Sequence, residues 1–237
     1  MLVKNDLFDY ENRSIYQDSE YFKFSLDSIL LAEYVDIKKD DIVTVDLCAG
    51  NMAIPLILSK YSNNKIFGFE IQEEVYNLGR KSIELNHLEH NLTIINDDVK
   101  NIGMYFDKKS IDLMVCNPPF FKANDEKMVN KTMEKKIARH EIFLTLEDIF
   151  YISKNYLKDN GNLYMVHRAS RLDEIIILAK KYNIGVKNVC LVKTKEDKEP
   201  NIVLIKCVKN CKFGLKFDKI VCVANLTTYQ HLFKEQK

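Results

Sequence analysis

The sequence contains no tryptophan, only 7 glycines and only 4 prolines among its 237 residues. Because no stretch is rich in proline, glycine or serine, we see no linker and expect residues 1–237 to form one domain. The sequence also lacks a long apolar run. Ile175–Ala179 is typical of its longest ones, whereas a membrane span needs roughly 18 to 20 apolar residues. Residues 1–6 lack the apolar core of a secretory signal, so we expect a cytoplasmic protein.

Cysteine is present, but its spacing does not indicate disulfides or a metal site. The six cysteines are scattered, several within apolar runs, which is typical of buried thiols in a reducing compartment. Cys207 and Cys211 lack a second pair of ligands, so we predict no zinc site. With 46% hydrophobic and 29% charged residues, the composition is that of a globular protein with a sizeable core, which excludes overall disorder.

The net charge of +1 conceals an uneven distribution along the chain. Residues 1–120 contain 12 lysines and arginines against 20 aspartates and glutamates, a net charge of −8. Residues 121–237 contain 23 against 14, a net charge of +9. A basic C-terminal half favours a polyanionic partner. Charge alone leaves open the alternative that the two halves present different solvated helix faces.

Short β-branched runs alternate with stretches of helical periodicity along the whole chain. The predicted strands are 42–47, 65–70, 92–96, 111–116, 161–167, 187–193 and 202–208. The predicted helices are 25–35, 53–61, 73–86, 146–157 and 172–182. Several strands are continuous apolar runs, as expected of parallel strands covered on both faces. The alternation therefore predicts an α/β fold with a doubly wound sheet.

Three successive predicted strands end in acidic residues. Asp46 precedes a turn that contains Gly50, Glu70 follows the next strand, and Asp98 follows the third. In a doubly wound sheet these ends border one crevice, where an acid such as Glu70 accepts hydrogen bonds from ribose hydroxyls. With one glycine, the turn lacks a pyrophosphate cradle. An acid beside it suits the cationic amino-acid end of S-adenosyl-L-methionine (SAM). The alternative is that the acids only cap strand ends.

The fourth predicted strand ends in Asn117-Pro118-Pro119-Phe120. Consecutive prolines keep the backbone extended, so the Asn117 side-chain oxygen and the Pro118 carbonyl can converge as two acceptors. These acceptors suit a planar amine, because they stabilise the charge that develops on its nitrogen during methyl transfer. Phe120 offers a face on which a flat group can stack. The alternative is a proline-rich turn without a chemical role.

With these motifs in place, the chain resembles the bacterial tRNA1(Val) adenine-37 N6-methyltransferase family over roughly residues 8–210. Less generic blocks at residues 24–32, 137–141, 146–148, 166–168 and 199–201 carry most of this resemblance. It implies a Rossmann-like, seven-stranded sheet, mostly parallel with an antiparallel last strand. It also implies SAM as cofactor, S-adenosyl-L-homocysteine as product, no metal, and a tRNA anticodon loop as partner. We expect no membrane association, no obligate protein partner and a monomer.

The resemblance also implies roles for individual residues. Asn117, Pro118, Pro119 and Phe120 would hold the adenine. Asp46, Ala49, Gly50, Glu70 and Asp98 would line the SAM pocket, and we expect Asn51, Ile71, Val99 and Asn117 to contact SAM as well. Ser25 and Asp27 would close over SAM from the N-terminal side, and the alternative is that Ser25 caps a helix. Residues 1–36 would cover the SAM site. The family turn usually reads Asn-Gly, whereas this chain has Asn51-Met52.

Residues 121–136 form a polar, lysine-bearing stretch that we predict to be a mobile substrate loop. Candidate RNA contacts are Lys122, Lys127, Arg139, His140, His167 and Arg168. The alternatives for them are a solvated loop, a structural ion-pair cluster and strand-end capping.

Two active functions remain open from the sequence. The first is N6-methylation of an adenine in RNA, for which an anticodon loop offers bases that are already unpaired. The second is N5-methylation of a glutamine in translation release factors, whose enzymes use a similar Asn-Pro-Pro-aromatic motif. Those enzymes normally carry a helical N-terminal domain and end the motif in tyrosine, and here only 45 residues precede Asp46. A binding module that has lost catalysis is a third reading, against which intact Asn117 and Glu70 argue.

Overall fold

A computed structural model describes residues 2–7, 10, 12–18, 25–39, 42–118, 144–229 and 232–233. Within these residues a nine-stranded sheet dominates the fold. Its strands are β3 (Val43–Asp46), β4 (Lys65–Phe69), β5 (Leu92–Ile95), β6 (Ile111–Cys116), β7 (Leu157–Arg168), β8 (Ile184–Lys193), β9 (Ile202–Lys209), β10 (Lys216–Phe217) and β11 (Val221–Cys222). Two further strands, β1 (Leu2–Asp6) and β2 (Ser14–Asp18), form a separate antiparallel hairpin.

The order of the main strands across the sheet is β10-β8-β9-β7-β6-β3-β4-β5, with β11 also paired to β8. All neighbours are parallel except β9, which runs antiparallel to β7 and β8. The predicted doubly wound sheet with an antiparallel last strand is therefore confirmed. The predicted count of seven is two short, because residues 216–217 and 221–222 add short strands along β8.

Helices cover both faces of the sheet. They are α1 (Leu26–Tyr34), α2 (Ala53–Leu58), α3 (Glu73–Leu85), α4 (Leu146–Tyr156) and α5 (Leu172–Lys181). The first three pack in one hydrophobic core, and α4 and α5 pack in a second core on the other face. Strand β6 shows why two cores form. Leu113 and Val115 belong to the first core and Met114 and Cys116 to the second, because successive strand residues point to opposite faces.

Local sequence signals set the helix ends. Thr145 caps α4 by accepting from the Asp148 backbone N–H, while the Asp148 carboxylate accepts from the Thr145 backbone N–H. Helix α3 begins with two glutamates, which favour the positive end of the helix dipole. Helices α3 to α5 end one residue before their predicted ends, and α2 ends three residues early.

The N-terminal hairpin rests against α3. The Ser14 N–H donates to Asn86 Oδ1 at 3.0 Å, and the Tyr16 N–H donates to Ser82 Oγ at 2.9 Å. Tyr10 also donates to the buried Glu33 carboxylate of α1. The sequence did not predict this hairpin, because its polar residues show little periodicity.

Among the described residues, no helix is both long and apolar enough to cross a membrane.

Candidate functional site

The candidate site lies at the carboxyl edge of the sheet, where the strand order reverses. Strand β3 is central there: Asp46, its last residue, pairs in register with Gly68 of β4 and with Val115 of β6. Residues that follow β3, β4 and β6 therefore meet at one edge. In open α/β sheets, this is where ligands bind.

Asp46 is fully buried, and its carboxylate is only partly satisfied. One oxygen accepts from the Cys48 backbone N–H at 3.1 Å, and Oδ2 has no hydrogen-bond partner among the residues that the structure describes. Burial raises the pKa of Asp46 to about 7. The Cys48 hydrogen bond opposes this rise, and the nearby Glu70 carboxylate adds to it. A cationic ligand group beside Oδ2 would satisfy this oxygen and favour the charged form.

Glu70, the residue after β4, holds the turn that follows β3. It is 8% exposed, and its carboxylate accepts from the Gly50 N–H at 3.1 Å and from the Gln72 N–H at 2.8 Å. Burial raises the pKa of Glu70, and these hydrogen bonds act in the opposite direction. Gly50 has a φ of +54°, and a Cβ at this position would meet no atom of the described residues within 4 Å. The backbone of the turn is therefore open to a ligand. Ala49, next to it, is 6% exposed.

The two residues after Gly50 point into the protein. Asn51 is 2% exposed and donates from Nδ2 to the Tyr16 carbonyl at 2.9 Å. This contact ties the hairpin to the turn through Nδ2, and the contact of Asn51 with SAM stays a prediction. Met52 is fully buried at a φ of 72°. Its sulfur would lie 2.6 Å from a Cβ on Gly68, and its Cγ 3.1 Å from one on Gly79. Met52 thus fills the space left by two glycines, beneath the turn rather than in the crevice.

Asp98, the third acidic residue at a strand end, caps a short helix. Asp98 accepts from the Lys100 N–H at 2.9 Å and begins the 3₁₀ helix Val99–Met104. Asp97 accepts from Tyr105 Oη at 2.9 Å. In this structure Asp98 therefore acts as a cap, which is the alternative given for the acidic strand ends. Its side chain remains 24% exposed. Of the neighbouring candidates, Val99 is 5% exposed and Ile71 is 36% exposed.

Asn117 follows β6. Because β3 lies between β6 and β4, Asp46 lies between Asn117 and Glu70 at this edge. Its Nδ2 donates to Ser28 Oγ of α1 at 2.9 Å, and Ser28 is 5% exposed. The amide nitrogen is thereby directed at α1. Among the described residues, no donor contacts Asn117 Oδ1, which leaves this oxygen as an acceptor beside the buried Pro118. Ser28 lies in the block of residues 24–32 that carries part of the resemblance, which implies no role for it. The only feature of the sequence that could have indicated a role for Ser28 is its position in the first turn of a buried helix.

The N-terminus of α1 faces the end of β7. Burial raises the pKa of Asp27, whereas the positive charge of Arg168 lowers it. His167 is 1% exposed, and its Nδ1 accepts from the Arg168 N–H at 2.8 Å. Burial lowers the pKa of His167 to about 4, with a smaller contribution from Arg171. The ring is thus enclosed by protein in this structure, and its contact with RNA stays a prediction. Ser25 occupies the N-cap position of α1 without a side-chain capping bond.

Several predicted residues fall outside the described part of the chain. These are Pro119, Phe120, Lys122, Lys127, Arg139, His140 and the predicted loop 121–136. Within the described part, no group of three or more His, Cys, Asp or Glu side chains could hold a metal ion.

Known proteins with similar sequences support one enzyme class. A Flavobacterium psychrophilum protein is 24% identical over 87% of this chain and 88% of its own length. A Phocaeicola vulgatus protein is 21% identical over 99% of this chain and 95% of its own length. Both are named tRNA1(Val) (adenine(37)-N6)-methyltransferase. The resemblance stated from the sequence is thereby confirmed.

Solved structures show the same fold at low sequence identity. A protein described as a predicted O-methyltransferase from Agrobacterium tumefaciens has a TM-score of 0.64 at 16% identity, covering 83% of this chain and 87% of its own. The Methanocaldococcus jannaschii tRNA m1G37 methyltransferase has a TM-score of 0.59 at 21% identity, covering 89% of this chain and 55% of its own.

The methyltransferase small domain family matches residues 23–183, which include every strand from β3 to β7 and the whole candidate crevice. This chain therefore belongs to the methyltransferase small domain family.

Proposed function

We propose that this protein is a SAM-dependent tRNA methyltransferase that transfers a methyl group to N6 of adenine 37, beside the anticodon. The carrying observation is one edge of the sheet where, within the described residues, Oδ2 of buried Asp46 has no hydrogen-bond partner and no donor contacts Oδ1 of Asn117. The curated relatives described above, which carry the name of this activity, support the same reaction.

The residues at the crevice fit SAM. Asp46 would hold the ammonium group of the methionine end, which would satisfy Oδ2, an oxygen that is otherwise costly to bury. Glu70 retains acceptor capacity for ribose hydroxyls, because each carboxylate oxygen can accept more than one bond. The open backbone at Gly50 lets the ligand approach closely. Exposed Ile71 and partly exposed Asp98 would hold the adenine end of the cofactor.

When bound, SAM supplies an electrophilic sulfonium methyl group and leaves as S-adenosyl-L-homocysteine. Asn117 Oδ1 and the Pro118 carbonyl accept from the two N–H groups of the target amine. They stabilise the positive charge that develops on nitrogen and orient its lone pair toward the methyl group. The surplus proton leaves the nitrogen afterwards, so no general base has to act before transfer. Phe120 and Pro119 complete the adenine pocket in this proposal.

The substrate has to present an unstacked adenine, which costs a few kcal/mol in a stacked helix and less in a loop. An anticodon loop is therefore a suitable partner. Residues 121–136 act as the substrate loop. The residues that contact the RNA are Lys122, Lys127, Arg139, His140 and Arg168. Residues 1–36 cover the SAM site within a single catalytic domain of 237 residues. We place this activity in the cytoplasm, in a monomer without an obligate protein partner.

The decisive experiment is methyl transfer from labelled SAM to unmodified tRNA and, in parallel, to release factor. We expect label in tRNA, recovered as N6-methyladenosine at position 37 after nuclease mapping. Asn117→Ala is the matched negative variant: it should bind SAM and fail to transfer the methyl group. Label in release factor alone would replace this proposal with glutamine methylation.

A further inference from the structure

Residues 212–220 form an exposed strip in which lysines alternate with large apolar side chains. The sequence of this strip is Lys-Phe-Gly-Leu-Lys-Phe-Asp-Lys-Ile. Phe213 is 61% exposed, Phe217 is 66% exposed and Ile220 is 55% exposed. Apolar side chains grouped on a surface in this way indicate an interaction site more often than isolated ones do.

The strip is held firmly against the sheet although its apolar side chains point away from the core. Its strand β10 pairs with β8, and the Asp218 N–H donates to the Val189 carbonyl at 2.9 Å. The Asp218 carboxylate accepts from Tyr34 Oη at 2.6 Å and from Asn188 Nδ2 at 3.0 Å. Lys187 adds a hydrogen bond to the Lys212 carbonyl at 3.1 Å. The exposed phenylalanines therefore sit on an anchored backbone.

The outward charge of the strip is positive. Lys212, Lys216 and Lys219 are exposed, and within the described residues none of them pairs with a carboxylate. The one acid of the strip, Asp218, is half-buried and engaged by Tyr34 and Asn188. A partner that contacts this surface thus meets lysine ammonium groups beside flat apolar faces.

RNA is the partner whose chemistry matches this combination. Lysines neutralise phosphates, and aromatic faces stack on bases or pack against sugars. Pairing of two copies through β10 is disfavoured, because lysines along an edge strand oppose edge-to-edge association. An acidic peptide would use the lysines and leave the aromatic faces uncovered.

The strip is separated from the methyl-transfer crevice by most of the sheet. Five strand steps lead from β3 to β10, which at about 4.8 Å per step is roughly 24 Å. An RNA contact here would bind nucleotides other than the target adenine. We propose that residues 212–220 are a second RNA-docking surface, which binds backbone and unpaired bases of the substrate RNA away from the crevice. This proposal rests on the proposed function, because it assumes that the substrate is RNA.

The test compares three full-length variants in direct binding of labelled tRNA and in methylation. Phe213→Ala with Phe217→Ala removes the stacking faces. Lys212→Gln, Lys216→Gln and Lys219→Gln together remove the charges. The control combines Lys81→Gln, Lys108→Gln and Lys180→Gln, an equal charge change at exposed positions elsewhere. We expect the tRNA dissociation constant and KM to rise about tenfold in the phenylalanine variant, while SAM affinity, kcat and melting temperature stay unchanged.

The lysine variant adds a salt signature. Loss of up to three phosphate contacts should reduce the slope of log affinity against log salt by roughly 2, and the control should keep the wild-type slope. Wild-type tRNA affinity in both strip variants would overturn the proposal. So would a wild-type dimer that the strip variants convert to monomers with unchanged tRNA affinity, since the strip would then join two copies. Absence of methyl transfer to tRNA would instead count against the proposed function, because direct binding is read separately.

Discussion

Among single residues, Asp46 combines complete burial with an unpartnered oxygen, and these two properties have opposite consequences for binding and stability. In the ligand-free protein the charged carboxylate is poorly solvated. With SAM bound, the same charge faces a cation. A residue of this kind favours ligand binding at the expense of the free protein.

Asp46→Asn should weaken SAM binding by roughly 30-fold or more, because it removes one member of a buried, hydrogen-bonded charge pair. Titration calorimetry at pH 8 measures the effect. The control is Asp107→Asn, an exposed aspartate before the amino end of β6. Unchanged SAM affinity in Asp46→Asn would show that the cofactor does not contact this carboxylate.

Ser28 is a positioning residue for Asn117, since its hydroxyl accepts from the Asn117 amide at 2.9 Å. Ser28→Ala should lower kcat for tRNA methylation by about 10- to 100-fold, because small misplacements of a reacting group carry costs of that size. SAM affinity and melting temperature should stay near wild type. Ser28→Thr keeps the hydroxyl and should recover most of the rate. Equal losses in the alanine and threonine variants would point to packing instead of the hydrogen bond.

At the scale of elements, β4 and the turn after β3 are fitted to each other. A Cβ on Gly68 would lie 2.5 Å from the Ala49 Cβ and 2.6 Å from the Met52 sulfur. Gly68→Ala should therefore destabilise the protein by about 1–3 kcal/mol through overpacking, and it should weaken SAM binding by moving the turn. Denaturant unfolding and SAM titration measure both effects.

Gly103→Ala is the matched control for that substitution. Its Cβ would approach the Tyr156 hydroxyl to 2.5 Å, so it introduces a comparable overlap with α4 instead of with the turn. An equal loss of SAM affinity in the two variants would show that the fit between β4 and the turn has no special importance for the cofactor.

The helices and strands around the crevice were predictable because their signals are local. The capping box at Thr145 and the paired glutamates at the start of α3 fix helix starts from a few neighbouring residues. The hairpin β1–β2 was not predictable. Its stability depends on Ser82, Asn86 and Asn51, which lie far along the chain.

At the scale of the whole molecule, burial of ionisable groups makes stability depend on pH. The folded-state pKa of Asp46 is about 7 against an ordinary value of 3.8, so the folded protein binds the proton more tightly than the unfolded chain. Its contribution to the free energy of unfolding is therefore lost as pH rises toward 7. His167, with its pKa lowered to about 4, acts in the opposite direction, because its contribution is gained as pH rises from 4 to 6.5.

The difference in unfolding free energy between Asp46→Asn and the wild type isolates the Asp46 contribution, since His167 is common to both. Without SAM, this difference should favour the variant by about 3 kcal/mol more at pH 8 than at pH 5. Urea unfolding at the two pH values measures it. The same difference at both values would mean that Asp46 does not titrate in this range.

The sequence by itself determined the α/β class, the mostly parallel sheet with an antiparallel last strand implied by the family resemblance, and the three acidic strand ends followed by Asn117. These features depend on residue periodicity and on short motifs, which are local. Tertiary structure alone decided where side chains of the same motifs point. It turned Asn51 and Met52 inward, buried His167, and joined Ser28 to Asn117 across 89 residues. It also left the phenylalanines of residues 212–220 exposed. Such outcomes depend on which distant atoms fill or leave open the space around each side chain, and that is a property of the packed molecule.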